Sequence, residues 1–218
     1  YDTTGGGAEG GGIQTAECVD SVSMDGYDYA VVAVGSQCWF AENLRTTVFQ
    51  DSTEIPLTQG STFPNLTSPA RTQYNNSAAF VDDRGYLYNG HAVADEAHGG
   101  ICPSGWHVPT DGEWTNLDYY ISSQGFNGTE GTSLKSTYGW FGGGNGTDDF
   151  GFSALPGGFR FNLSGSFDSA GYFGYWWSSS PSGGNAWSRG LYDISPDLDR
   201  TSSIPRNGFS ARCLRDAD

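Results

Sequence analysis

Between residues 101 and 114 the stretch ICPSGWHVPTDGEW gathers Cys102, His107, Asp111 and Glu113. A thiol near an imidazole is the pairing of a nucleophilic enzyme, and an imidazole among carboxylates can hold a metal ion or move a proton. Each of these chemistries needs more than the stretch supplies. A metal centre requires further ligands converging on His107, yet no HxxxH or HxH pattern occurs, and His91 and His98 are not spaced as a ligand pair. A GxSxG nucleophile turn is absent as well. The expectation is a chain that is not an enzyme, with His107 packed or hydrogen-bonded rather than catalytic.

Oxygen ligands are more plentiful, because 25 acidic residues outnumber 10 basic ones for a formal charge of −15. Asn145, Asp148 and Asp149 form a weak candidate calcium set, with Asp193, Asp197 and Asp199 as a second acidic cluster. Neither has the spacing of an EF-hand loop. Calcium is therefore the one cofactor left open, and no other is expected. The same charge argues against nucleic acid as a partner, since phosphate binding needs a basic stripe.

Binding offers better candidates than catalysis. Aromatic residues make up 15% of the 218 and glycines number 33, so burial leans on Trp, Tyr and Phe in a loop-rich chain. In GYFGYWWSSS, Tyr172, Phe173, Tyr175, Trp176 and Trp177 could stack on sugars or proteins. Adjacent Trp176 and Trp177 must face opposite sides of a strand, which puts at least one in the core. Trp187 and Tyr192 make a better candidate for a partly exposed patch. The arginines crowd into the last third, and Arg189 and Arg200 join Trp187 and Tyr192 as candidate contacts for a glycan or protein ligand.

Those side chains need elements to hold them. YDYAVVAV (27–34) is β-branched, aromatic and closed by Gly35, which predicts a strand. Residues 46–77 lack a period and predict a long loop region. A helix is predicted from about Asp83 to Glu96, with Asp82 or Asp83 capping and Leu87, Gly90 and Ala94 on one face. A second helix begins at Asp111, where Thr110-x-x-Glu113 is a capping box and Trp114, Leu117 and Ile121 recur at helical spacing. From residue 131 onward, short aromatic runs alternate with turn residues and predict β-strands joined by loops.

Cys18, Cys38, Cys102 and Cys213 are too widely spaced for a zinc knuckle, and an even count favours two disulfides in an oxidising compartment. Three pairings are open. No run of about 18 apolar residues occurs, so no membrane span is expected. The chain starts at Tyr1 without methionine, which leads us to expect a mature, exported form. Asn-x-Ser/Thr signals begin at Asn65, Asn75, Asn127, Asn145 and Asn162. A bacterial O-glycosylation pattern, Asp-Ser/Thr followed by a small or aliphatic residue, puts Thr3, Ser21, Ser52 and Ser169 beside them as candidate sugar acceptors. Residues 1–16, YDTTGGGAEGGGIQTA, form a glycine-rich segment set apart from a domain over 17–218. With so few side chains, Tyr1, Asp2, Thr3, Thr4 and Ile13 fit an assembly strand that lies in a groove or along a sheet edge of another copy.

DGYDYAVVAVGSQCWFAENLRTT, GYLYNGHAV, CPSGWHVPTDGEW, LKSTYGW, GFSALPGGFRFN, GYWWSSS, AWSRGL and NGFSARCLRD together resemble the Fibrobacter succinogenes major paralogous domain (FISUMP) over roughly residues 20–216. The resemblance implies an α+β, C-type-lectin-like fold: two helices with small antiparallel sheets and long loops, disulfide-stabilised, with N- and C-terminal strands together. It implies pairing of Cys102 with Cys213, leaving Cys18 with Cys38, and a surface or secreted bacterial location. The function expected is an exported, non-enzymatic structural or adhesive protein of the bacterial surface. It would assemble with copies of itself into an extracellular oligomer or fibre through its N-terminal segment, the alternative being a carbohydrate- or protein-binding module of the cell envelope.

Overall fold

A computed structural model describes residues 18–217. The segment 1–16, including Tyr1, Asp2, Thr3, Thr4 and Ile13, lies outside the described residues. The chain opens with β1 (Ser21–Met24), β2 (Tyr27–Val34) and β3 (Gln37–Phe40). Asp25 and Gly26 both take positive φ at the first turn, the backbone a two-residue hairpin needs. After a long loop region come β4 (Arg71–Thr72), α1 (Val81–Arg84), β5 (Leu87–Asn89) and α2 (Gly90–Val93). Then follow α3 (Asp111–Ile121) and α4 (Glu130–Leu134). The remainder holds β6 (Phe159–Arg160), β7 (Phe167–Asp168), β8 (Phe173–Ser182), β9 (Asn185–Tyr192), β10 (Asp199–Ser203), β11 (Gly208–Phe209) and β12 (Leu214–Asp216). The described chain is mostly β with few helices.

Three sheets form, in the orders β1-β2-β3-β12, β10-β9-β8 and β4-β5-β11-β6-β7. The first joins the two ends of the domain: β12 pairs antiparallel with β3, Leu214 opposite Trp39. All four residues of β3 are buried because packing covers both its faces. Cys38 and Phe40 enter one apolar cluster and Trp39 the other. The same alternation resolves the tryptophan pair on β8: Trp177 fills the first cluster and Trp176 the second, and both are buried.

Helix α3 forms as its local sequence dictates. Thr110 accepts from the Glu113 N–H at 3.2 Å, and Glu113 accepts from the Thr110 N–H at 2.6 Å, which completes the capping box. Trp114, Leu117 and Ile121 are fully buried on its inner face.

The helix predicted over 83–96 is a correction. The chain there makes only single turns, α1 and α2, separated by strand β5. At Gly85 φ is +72°, and a Cβ would meet the Leu44 carbonyl oxygen at 2.5 Å. Leu87 and Tyr88 instead pair with Thr72 and Arg71 of β4, while Asn89 lies opposite Gly208 of β11. Tertiary pairing thus overrides a weak local preference. Of the two full helices expected, only α3 forms, and no other α-helix among the described residues exceeds five residues.

Disulfides join Cys18 to Cys38 and Cys102 to Cys213, the pairing the resemblance implies. The second ties the loop before α3 to the segment before β12. Backbone bonds between His107 and Leu214, both 2.9 Å, run beside it.

Candidate binding surface

Trp187, Arg189 and Arg200 are brought together on one face of the β10-β9-β8 sheet, against the start of α3. Arg189 lies opposite Arg200 across the two strands, and the Arg200 guanidinium sits 3.4 Å over the Trp187 ring. Asp111 occupies the space between the arginines. Its carboxylate meets Arg189 Nη1 at 2.7 Å and Arg200 Nη2 at 2.7 Å, and Arg189 also donates to the Thr115 hydroxyl at 3.0 Å. The bond from Arg200 holds the Asp111 carboxyl below its usual range, with burial opposing and Arg189 adding to the lowering. Both guanidinium groups are thereby ion-paired to one shared carboxylate within the protein. The cluster seals helix to sheet rather than presenting free cations to a ligand. Tyr192 points to the other sheet face, where its ring packs on Phe173 and Tyr175 at 4.9 and 5.8 Å.

His107 is drawn into the helix cap. Its Nε2 lies 2.7 Å from Glu113, whose other carboxylate oxygen accepts from the Thr110 hydroxyl at 2.8 Å. The Glu113 hydrogen bond raises the His107 pKa against the effect of burial. Burial pushes Glu113 up, but the bonds from His107 and Thr110 outweigh it and leave the carboxyl lowered. A half-open cleft of about 330 Å³ lies alongside, lined by Val93, Ile101, Cys102, Trp106, His107 and Ser179 among others. No free cysteine exists among the described residues, so the thiol–imidazole chemistry of the motif has no nucleophile.

The candidate calcium residues each serve their own loop. Asn145 Oδ1 accepts the Trp140 N–H at 3.0 Å. Asp148 takes both the N–H and the hydroxyl of Ser153 at 2.6 Å, and Asp149 takes the Thr147 hydroxyl. Among the described residues no group of three or more His, Cys, Asp or Glu side chains is placed to hold a metal. Of the candidate sugar acceptors, Asn65, Asn75, Asn127, Asn145, Ser21 and Ser52 are exposed, Ser169 is half-buried, and Asn162 is buried. Thr3 lies outside the described residues.

Sequence reasoning missed two features. The first is the role of the buried cations. Arg212, wholly buried, donates to the carbonyls of Phe40 at 3.0 Å, Ser153 at 3.0 Å and Phe152, and to Asn43 Oδ1 at 3.3 Å. Arg160 bonds the carbonyls of Gly165, Thr58 and Gly60 and the Thr72 hydroxyl, between the Phe63 and Phe167 rings. Lys135, the sole lysine, donates to the carbonyls of Tyr192 and Ser195, each at 3.0 Å. Burial lowers the pKa of all three, Arg212 to about 9 and Arg160 to about 10. Their donors bond backbone carbonyls in loops and at strand ends.

The second is an exposed aromatic pair. Phe141 and Tyr172, 51% and 47% exposed, meet edge-to-face with centroids 5.2 Å apart. Tyr172 stands in the aromatic run noted from sequence. For Phe141 the available signal was its place at the head of FGGGNG, a bulky ring where the chain otherwise loses its side chains.

A mostly β domain, closed by two disulfides and by internal cations, with its uncovered aromatics on loops, is the class that fold and surface define. The chain belongs to the Fibrobacter succinogenes major domain family, whose family model matches residues 32–215. No curated protein and no solved structure matches it.

Proposed function

We propose that the chain is an exported, non-enzymatic adhesive domain of the bacterial surface, built on a C-type-lectin-like plan. One observation carries the reading: the side chains singled out for chemistry are committed to internal architecture, while several aromatic rings, Phe141 and Tyr172 among them, are left uncovered on loops. His107 and Glu113 cap a helix, Asp111 pairs with both Arg189 and Arg200, and Cys102 is crosslinked to Cys213. Two disulfides support an oxidising location, and no described helix is long and apolar enough to cross a membrane. Contact with other copies through residues 1–16 belongs to the same proposal.

Beads coated with the purified, oxidised chain test it. Adherence to bacterial envelopes, to extracellular polymer or to one another is expected, and beads that adhere to none overturn the reading. Deleting residues 1–16 is expected to abolish higher-order species in sedimentation while the domain stays folded. Unchanged oligomer size removes the assembly component.

A further inference from the structure

The backbone that carries Phe141 and Tyr172 is hydrogen-bonded while their rings stay about half exposed. The Phe141 N–H donates to the Gly171 carbonyl at 2.8 Å, and the Gly144 N–H donates to the Phe141 carbonyl at 2.9 Å. The Tyr172 N–H is held by Ser169 at 3.0 Å, while the Tyr172 carbonyl accepts from Asp193 at 2.9 Å. Gly171 has φ +89°, and a Cβ there would lie 2.5 Å from two carbons of the Phe141 ring. The ring therefore rests on bare backbone that only glycine leaves room for. Behind it, Lys135 fixes the 192–195 loop through two carbonyls, and Asn145 fixes the backbone of Trp140. Two large exposed rings that pack on each other and stand on hydrogen-bonded backbone have less freedom left to lose on binding, which favours a preorganised binding surface.

Polar neighbours narrow the ligand. The space a Gly142 Cβ would occupy lies 3.3 Å from Asp193 Oδ2, so a carboxylate stands at the edge of the pair. A site that combines ring surface with a carboxylate acceptor suits a molecule with one C–H face and several hydroxyl donors. A fixed anion is repelled by Asp193 and by the charge of −15.

We propose that Phe141 and Tyr172, with Asp193 beside them, form a stacking site for a neutral saccharide. A pyranose lays its C–H face on one ring, abuts the other, which stands nearly perpendicular to it, and donates hydroxyl hydrogens to the Asp193 carboxylate. The assignment rests on the adhesive reading above and names the ligand of that surface.

Affinity electrophoresis of the full oxidised chain tests it, with starch, laminarin and yeast mannan as neutral probes and polygalacturonate and chitosan as charged ones. Retardation by at least one neutral polysaccharide is expected. It should weaken tenfold or more in Phe141→Ala and in Tyr172→Ala, and persist in Tyr119→Ala, whose ring is 70% exposed on α3. A urea midpoint for each variant establishes that it is folded. Retardation by the charged probes alone overturns the saccharide class, and neutral binding that survives Phe141→Ala overturns the site. Coated beads that adhere while no neutral polysaccharide retards the chain sink the saccharide assignment and leave the adhesive reading standing. Beads that adhere to nothing remove that reading instead.

Discussion

Arg212 shows how single charged residues work in this protein. Its guanidinium reaches the Phe40 carbonyl 172 positions away in sequence and three further acceptors on two other loops. No local pattern announces such partners, because backbone carbonyls are present at every residue and only the fold decides which of them a guanidinium reaches. For the same reason the arginines near the C-terminus read as a ligand face. Arg212→Met should destabilise the domain on the order of 3 kcal/mol in urea unfolding, since several buried carbonyls and the Asn43 side chain lose their donor. His107 and Glu113 give a residue-scale dependence on pH. The His107 pKa is raised above its ordinary 6.5, so its contribution is complete below about that pH and is lost as pH rises through the folded value. Glu113 is lowered below 4.5, so its contribution is present above that pH and is lost as pH falls through the folded value. The difference in urea midpoint between wild type and His107→Ala should be largest in this mildly acidic window and shrink on both sides. Equal differences from pH 4 to 9 would contradict the pairing.

At the scale of elements, legibility follows the range of the forces. The α3 cap and the β2 strand were readable because their causes lie within a few residues: a Thr–Glu pair at a helix start and a β-branched run closed by glycine. Thr110→Ala should cost the domain about 1 kcal/mol of stability, seen as a lowered urea midpoint, because it removes an N-cap acceptor. The failed helix over 83–96 marks the limit. Gly85, the pairing of Leu87 and Tyr88 with β4, and the approach of Pro205 to within 2.9 Å of a Gly90 Cβ are all tertiary. Phe141 belongs to the same class, since its exposure depends on Gly171, thirty positions downstream, and on the loop fixed by Lys135. The candidate patch was thus read as Trp187, whose ring is covered by Arg200, and not as the pair that stays open.

Across the whole molecule, covalent and ionic links replace the long ladders that a small-sheet fold lacks. The Cys102–Cys213 bridge spans 111 positions and the Cys18–Cys38 bridge 20. By chain entropy the longer loop is worth ~5 kcal/mol and the shorter ~3 kcal/mol. Replacing Cys102 and Cys213 by alanine should therefore lower the unfolding midpoint more than replacing Cys18 and Cys38, and the reverse order would point to strain or residual structure instead. The central claim is a division of labour, with charged and half-buried groups holding loops and the open aromatic loops holding ligand. Neutral-polysaccharide retention of folded Trp187→Ala, measured against folded Phe141→Ala, tests that division most directly. The account predicts retention unchanged in Trp187→Ala and at least tenfold weaker in Phe141→Ala; loss in Trp187→Ala with retention in Phe141→Ala would contradict it.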